Sequence, residues 1–161
     1  MRIDLESMTP EQYDRYRLLC DSRSSAEFRF RREICGIELS ELAEDLGVRL
    51  DTAKRWENPK KGYPPSLRAW AYVDSAYDKV IGAVDAAIAQ VEEIIDEHGE
   101  LGAIHIAYRR GNQPTRDGET VGRANAAARA AGLAFTALGY EIAVEWADEG
   151  TAGIAAAAGR S

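Results

Sequence analysis

The side chains best suited to binding chemistry are the basic residues between residues 28 and 66. This segment contains eight Lys and Arg against seven Asp and Glu, whereas residues 67–161 carry a net charge of −6. Because Lys and Arg neutralise phosphates, the segment could contact a nucleic acid even though the 161-residue chain has a net charge of −7. The overall acidity therefore describes the second half of the chain and does not exclude an anionic partner for the first half.

Little else in the sequence suggests chemistry. His98 and His105 have no cysteine nearby to complete a metal site, and Cys20 and Cys35 are too few for a zinc or disulfide scaffold. There is neither a glycine loop for phosphate nor a Gly-x-Ser-x-Gly sequence. We therefore predict no metal, no cofactor and no enzymatic activity. No apolar run approaches the ~20 residues of a membrane span, so we expect a cytoplasmic protein without membrane contact.

Two short helices are predicted to present the basic residues. The first runs from Leu39 to Leu46 and is closed by Gly47, and the second runs from Asp51 to about Glu57. A tight turn at Gly47-Val48 joins them, and this size and spacing are those of a helix-turn-helix. In that motif the second helix enters the major groove of DNA, with its N-terminal residues at the base edges.

Residues 28–58 contain a set of spaced features, namely Arg32 four residues before Gly36, then Gly36-Ile37, Leu42-Ala43, Leu46-Gly47-Val48 and Trp56-Glu57-Asn58. In these features the segment resembles the lambda-repressor-like (XRE, Cro/C1-type) helix-turn-helix family. The resemblance implies a DNA-binding domain.

The resemblance also implies roles for individual residues. Arg32 and Glu57 match a structural pair that bridges the family's first helix to the end of its recognition helix. Arg49, Leu50, Asp51 and Arg55 match base-facing positions, and Lys60 and Lys61 match a loop that meets phosphate. We add Lys54 as a further phosphate contact, which completes the predicted DNA-binding set.

Asp51 has two interpretations. It could accept a hydrogen bond from cytosine N4, as Leu50 could touch a thymine methyl group. Alternatively, Asp51 caps its helix, which leaves Arg49, Lys54 and Arg55 to make the contacts.

Ser66 to His98 contains no proline and predicts one long helix. Apolar residues recur in heptads along it, in the order Trp70, Tyr77, Val84 and Val91, with Ile81, Ile88 and Ile95 as the second row. This seam either packs on its own domain or pairs with the same helix of a second copy. Asp74 interrupts the seam early.

The remaining residues predict a strand, a helix and a strand. Ala103 to Arg109 alternates in polarity, Val121 to Leu138 is an alanine-rich helix capped by Thr120, and Tyr140 to Trp146 alternates again. This length allows a crossover that joins two parallel strands, and a partner chain could complete the sheet at its edge. The alanine-rich tail from Gly150 to Ser161 is predicted to fray.

The predicted fold is mainly α with a small α/β part, divided into a helix-turn-helix domain at 1–65 and a dimerisation region at 66–161. This layout is similar to that of anti-CRISPR-associated (Aca) regulators, which are small dimeric autorepressors of phages and bacteria. The resemblance implies a homodimer, formed through 67–98 and the 103–146 region, that binds an inverted repeat in double-stranded DNA and represses transcription. The alternative is an interaction module, such as an antitoxin or adaptor, that binds a protein through the acidic second half. RNA binding is not indicated.

Overall fold

The protein is mainly helical with one small sheet. The computed structural model describes residues 2–111, 115, 118–147 and 154–158. Along the described chain the helices are α1 (Pro10–Asp21), α2 (Ser25–Ile34), α3 (Leu39–Leu46), α4 (Leu50–Trp56), α5 (Leu67–His98) and α6 (Val121–Ala137), and the strands are β1 (Leu101–Tyr108), β2 (Ile142–Trp146) and β3 (Ile154–Ala158). Every helix in this part of the chain is too short or too polar to traverse a bilayer.

The chain divides into two compact units, Met1–Lys79 and Val80–Ser161. The division lies inside α5, so the first turns of that helix belong with the N-terminal unit. The functional boundary predicted after residue 65 stays a prediction.

The N-terminal unit is built around buried aromatic residues. Phe28 is fully buried and meets the rings of Trp56 and Trp70 edge-on, with centroids 6.2 and 5.1 Å apart. Such edge-to-face packing adds to the free energy gained from burying the rings. Through these contacts α2, α4 and the start of α5 share one core.

Capping residues explain where the predicted helices begin. The Thr9 side chain accepts a hydrogen bond from the Gln12 amide, and the Gln12 side chain accepts one from Thr9 in return. This capping box satisfies amides that have no partner inside the helix. At the start of α6 the Thr120 side chain accepts a single capping hydrogen bond, from the amide of Arg123.

A carboxylate from α5 holds three N-terminal side chains together. Asp74 is buried, and its oxygens accept hydrogen bonds from the Tyr16 hydroxyl at 2.7 Å, Arg23 at 2.6 Å and Arg31 at 3.2 Å. Burial raises the pKa of Tyr16 most, because it disfavours the charged phenolate; the hydrogen bond that the hydroxyl donates to Asp74 and the negative charge of that carboxylate raise this pKa further. The residue that interrupts the apolar seam is therefore the centre of a polar network.

The second unit packs the end of α5 and α6 against one face of the sheet. Its core consists of Ala87, Val91, Ile104, Ile106, Ala128, Ala131 and Phe135. Gly132 allows α6 to approach closely, because a Cβ atom there would lie 3.0 Å from the Ile106 Cδ1 atom.

The sheet confirms the predicted parallel strand pair and adds a third strand. Its order is β2-β1-β3, with β1 and β2 parallel and β1 and β3 antiparallel. The fraying predicted for the tail is wrong at Ile154–Ala158, because these residues form β3 and pair with β1 through their backbone. The other residues of that prediction lie outside the described part of the chain.

Much of the apolar seam of α5 is covered by the same chain. Trp70 is buried in the N-terminal unit, Val91 is buried in the second, and Val84, Ile88 and Ile95 are partly buried against the core of the second. Ile81 remains exposed. These buried positions favour the interpretation in which the helix packs on its own chain.

Candidate nucleic-acid interface

A three-residue turn joins α3 and α4. Gly47 ends α3 with φ +66°, a conformation that other residues rarely adopt, and the Val48 amide donates to the Ala43 carbonyl oxygen at 2.9 Å. The Thr52 amide then donates to the Arg49 carbonyl oxygen at 2.9 Å, which begins α4. The two helices are therefore joined by a tight, hydrogen-bonded turn.

The inner sides of α3 and α4 are apolar. Leu42 and Leu46 of α3 are buried, as are Ala53 and Trp56 of α4. Their burial fixes which face of α4 is left to solvent, and that outer face carries the predicted contact residues.

We name this exposed face and the loop that follows it the α4 surface. It consists of Arg49, Leu50, Asp51, Lys54, Arg55, Lys60 and Lys61, all of which are exposed. Five of its seven residues are basic and one is acidic. The structure therefore brings the predicted contact residues onto one helix and the loop that continues from it.

Asp51 is not the N-cap of α4. The N-cap is Arg49, whose side chain makes no capping hydrogen bond, and Asp51 lies inside the first turn. A negative charge at that position interacts favourably with the helix dipole, although it does not cap an amide.

A buried ion pair anchors the end of α4. The guanidinium of Arg32 donates to both carboxylate oxygens of Glu57, at 3.1 Å from Nη2 to Oε2, and to the Ile37 carbonyl oxygen at 2.7 Å. Less than a tenth of either charged side chain is exposed. The pair links α2 to the residue that ends α4, so it fixes the position of the α4 surface without belonging to it.

Local contacts also position the loop. The Asn58 side chain accepts from the Lys60 amide at 3.0 Å, and the Asn58 carbonyl oxygen accepts from the Lys61 amide at 3.1 Å. This turn places both lysines directly after α4. The Arg55 guanidinium lies 5.6 Å from the centroid of the Tyr63 ring, which is itself exposed.

Sequence reasoning missed the Arg55–Tyr63 contact. A cation close to an aromatic face is attracted by the ring's charge distribution, so Tyr63 restrains the arginine. The only signal was an aromatic residue in a loop that is otherwise composed of polar residues, glycine and proline.

Comparison of this chain with protein-family models, with curated proteins and with solved structures found no match.

Among the described residues no three His, Cys, Asp or Glu side chains gather as a metal ion would require. The His105 ring nitrogen Nδ1 instead lies 3.0 Å from the Glu145 carboxylate on the neighbouring strand. Cys20 and Cys35 are both buried.

Proposed function

We propose that the protein is a sequence-specific double-stranded DNA-binding regulator that acts as a homodimeric repressor on an inverted repeat. The observation that carries the proposal is the α4 surface, in which five exposed cations occupy one short helix, its N-cap and the loop after it. Glu57, which follows α4, is paired with Arg32, whereas Asp51 contributes one negative charge within the surface.

The chemistry of the α4 surface suits both phosphate binding and base recognition. Lys54, Lys60 and Lys61 neutralise phosphates and release counterions, which gives affinity without sequence information. Arg49 and Arg55 have planar guanidinium groups that can donate two hydrogen bonds to guanine O6 and N7. Leu50 offers an apolar contact to a thymine methyl group, and Asp51 can accept from cytosine N4.

Two copies would place two such surfaces in successive major grooves about 34 Å apart. The binding site would therefore be an inverted repeat, whose symmetry matches that of the dimer. A dimer that occupies a promoter would block transcription from that promoter.

The charge of α3 favours a second candidate function. Glu38, Glu44 and Asp45 on α3 are exposed, and residues 67–161 carry a net charge of −6. A DNA backbone close to α3 would be repelled by these carboxylates, whereas a basic protein would be attracted to them. The second candidate is therefore an antitoxin-like or adaptor module that binds a basic protein.

Gel-shift titration against the DNA upstream of its own gene, with a scrambled duplex as control, separates the two candidates. The proposal predicts preferential binding to a palindrome at about 100 mM salt, with a steep fall in affinity as salt rises. Equal binding to both duplexes, or no binding, would reject the regulator and leave the protein-binding candidate.

Arg55 provides a sharper test on the same duplex. Arg55→Ala is expected to weaken binding by about 1–3 kcal/mol and to relax the preference at one base position. Arg15→Ala is the matched control, because it removes an exposed arginine of the same unit that pairs with Glu11 at 2.8 Å on α1. Equal weakening on all sequences would show that Arg55 contacts phosphate.

A further inference from the structure

We infer that β2 is the dimer interface of this protein and pairs antiparallel with β2 of a second copy across a two-fold axis at Val144. This inference rests on the proposed function only for the identity of the partner, which is a second copy of the same chain. The dimer contact is therefore placed at the open edge of the sheet and not along the long helix α5, because the apolar seam of that helix is largely covered.

The hydrogen bonds of the parallel pair show which backbone groups face the open edge. The Ile104 amide donates to the Glu141 carbonyl oxygen at 2.8 Å, and the Ala147 amide donates to the Tyr108 carbonyl oxygen at 2.8 Å. Because successive residues of a strand direct their backbone groups to opposite sides, odd-numbered residues of this segment face β1. The N–H and C=O groups of Ile142, Val144 and Trp146 therefore point away from β1.

These outward groups form the edge of the sheet. In the order β2-β1-β3, β2 has β1 as its neighbour on one side only. In the described part of the chain no strand pairs with its other side. Residues 142–146 contain neither lysine nor proline, the residues with which many proteins protect such an edge.

The side chains beside this edge are apolar and exposed. Val144 and Trp146 pair with Ile106 and Tyr108 of β1, so they lie on the same face of the sheet as the buried Ile106. Even so, 58% of Val144 and 57% of Trp146 is exposed. The open edge of β2 therefore lies beside exposed apolar side chains.

Antiparallel pairing about Val144 matches this surface to itself. Val144 lies opposite the partner's Val144, and Trp146 lies opposite the partner's Ile142. Since these are the residues whose backbone groups point outward, each pair exchanges two hydrogen bonds. Glu145, on the other face, lies opposite the partner's Ala143, so no like charges are directly opposed. A two-fold interface requires this kind of self-complementarity.

Proline at position 144 tests the pairing without disturbing β1. Val144→Pro removes an N–H that faces the open edge, and proline is tolerated on edge strands. We expect sedimentation of the full chain to show a dimer, and Val144→Pro to raise its dissociation constant at least tenfold. Leu133→Lys, at an exposed position on α6, is the control and should leave the dimer unchanged. A monomeric wild-type chain, or a proline variant that dimerises as well as wild type, would overturn the inference.

Cross-linking tests the register independently, including the case in which the proline variant does not fold. Directly opposed residues of a hydrogen-bonded pair have Cα atoms about 5.5 Å apart, which is within the span of a disulfide. Under mild oxidation Val144→Cys should form a disulfide-linked dimer, and Leu133→Cys should not. Equal cross-linking of the two variants would contradict the register.

The two proposals can fail separately. A β2-linked dimer that binds no DNA would support the interface and reject the regulator. Specific DNA binding by a protein that dimerises without β2 would support the regulator and reject the interface.

Discussion

Removing the carboxylate of Glu57 should destabilise the N-terminal unit strongly. Glu57→Ala leaves the Arg32 guanidinium buried with one hydrogen-bond acceptor, the Ile37 carbonyl oxygen at 2.7 Å, while the Glu33 carboxylate stays 3.9 Å from Nη2. Only 9% of the Arg32 side chain is exposed, so water cannot replace the lost carboxylate. Breaking a buried pair by removing one partner typically costs about 3–5 kcal/mol, and we expect about 3 kcal/mol here because one hydrogen bond survives.

Urea unfolding followed by tryptophan fluorescence measures this loss. Trp56 and Trp70 are buried in the same unit as the ion pair, whereas Trp146 lies in the other unit. The titration is therefore made in a Trp146→Phe background, so that the signal reports the N-terminal unit alone.

A double variant separates the ion pair from the rest of the fold. Arg32→Met combined with Glu57→Leu leaves no unpaired buried charge, so it should be less destabilised than Glu57→Ala alone. Arg15→Ala, which removes the exposed α1 ion pair, should not change the unfolding midpoint. A loss below about 1 kcal/mol for Glu57→Ala would refute the reasoning, because a buried unpaired charge would then cost no more than a surface contact.

Three further predictions concern stability and reactivity. Asp74→Ala should lower the free energy of unfolding by about 1–3 kcal/mol in the same urea assay, because the Tyr16 hydroxyl, Arg23 and Arg31 lose their shared carboxylate while Glu27 still pairs with both arginines. An unchanged midpoint would contradict this. Gly47→Ala should lower the free energy of unfolding by about 1–2 kcal/mol, because Gly47 has φ +66° even though the space around it is open. Gly82→Ala, within α5, should instead raise the free energy of unfolding by up to about 1 kcal/mol. Equal effects at the two glycines would argue against the left-handed turn. Burial raises the pKa of the Cys20 thiol, so Cys20 and the buried Cys35 should react with Ellman's reagent only after unfolding, and rapid reaction of the native protein would show that they are accessible.

Local signals in the sequence predicted some helix ends. Gly47 marked the end of α3, and Thr120 marked the start of α6. These residues act through their own backbone or a neighbouring amide, so their effect does not depend on the rest of the fold.

Contacts between distant residues were harder to predict. Heptad spacing shows that one face of α5 is apolar, but it cannot show that the same chain covers Trp70 and Val91. Asp74 looked like an interruption of the seam because its partners, Arg23 and Arg31, lie more than 40 residues away in sequence. The third strand was missed because an alanine-rich segment has no strand pattern of its own.

The residues that the sequence proposed for the candidate site lie together on one exposed surface of the structure. All seven residues of the α4 surface are exposed as a contact role requires, and Arg32 meets Glu57. The sequence left the role of Asp51 open, and the start of α4 at Leu50 now excludes it as the N-cap. Base recognition by these side chains stays a prediction.

The most direct test of the central claim is selection of bound duplexes from a randomised double-stranded DNA library by the full-length protein. Our account predicts that an inverted repeat is enriched, with half-sites about one helical turn apart, and that the enrichment disappears when Arg49 and Arg55 are replaced by alanine. Recovery of no common sequence, or an enriched sequence that both substitutions leave unchanged, would contradict DNA recognition by the α4 surface.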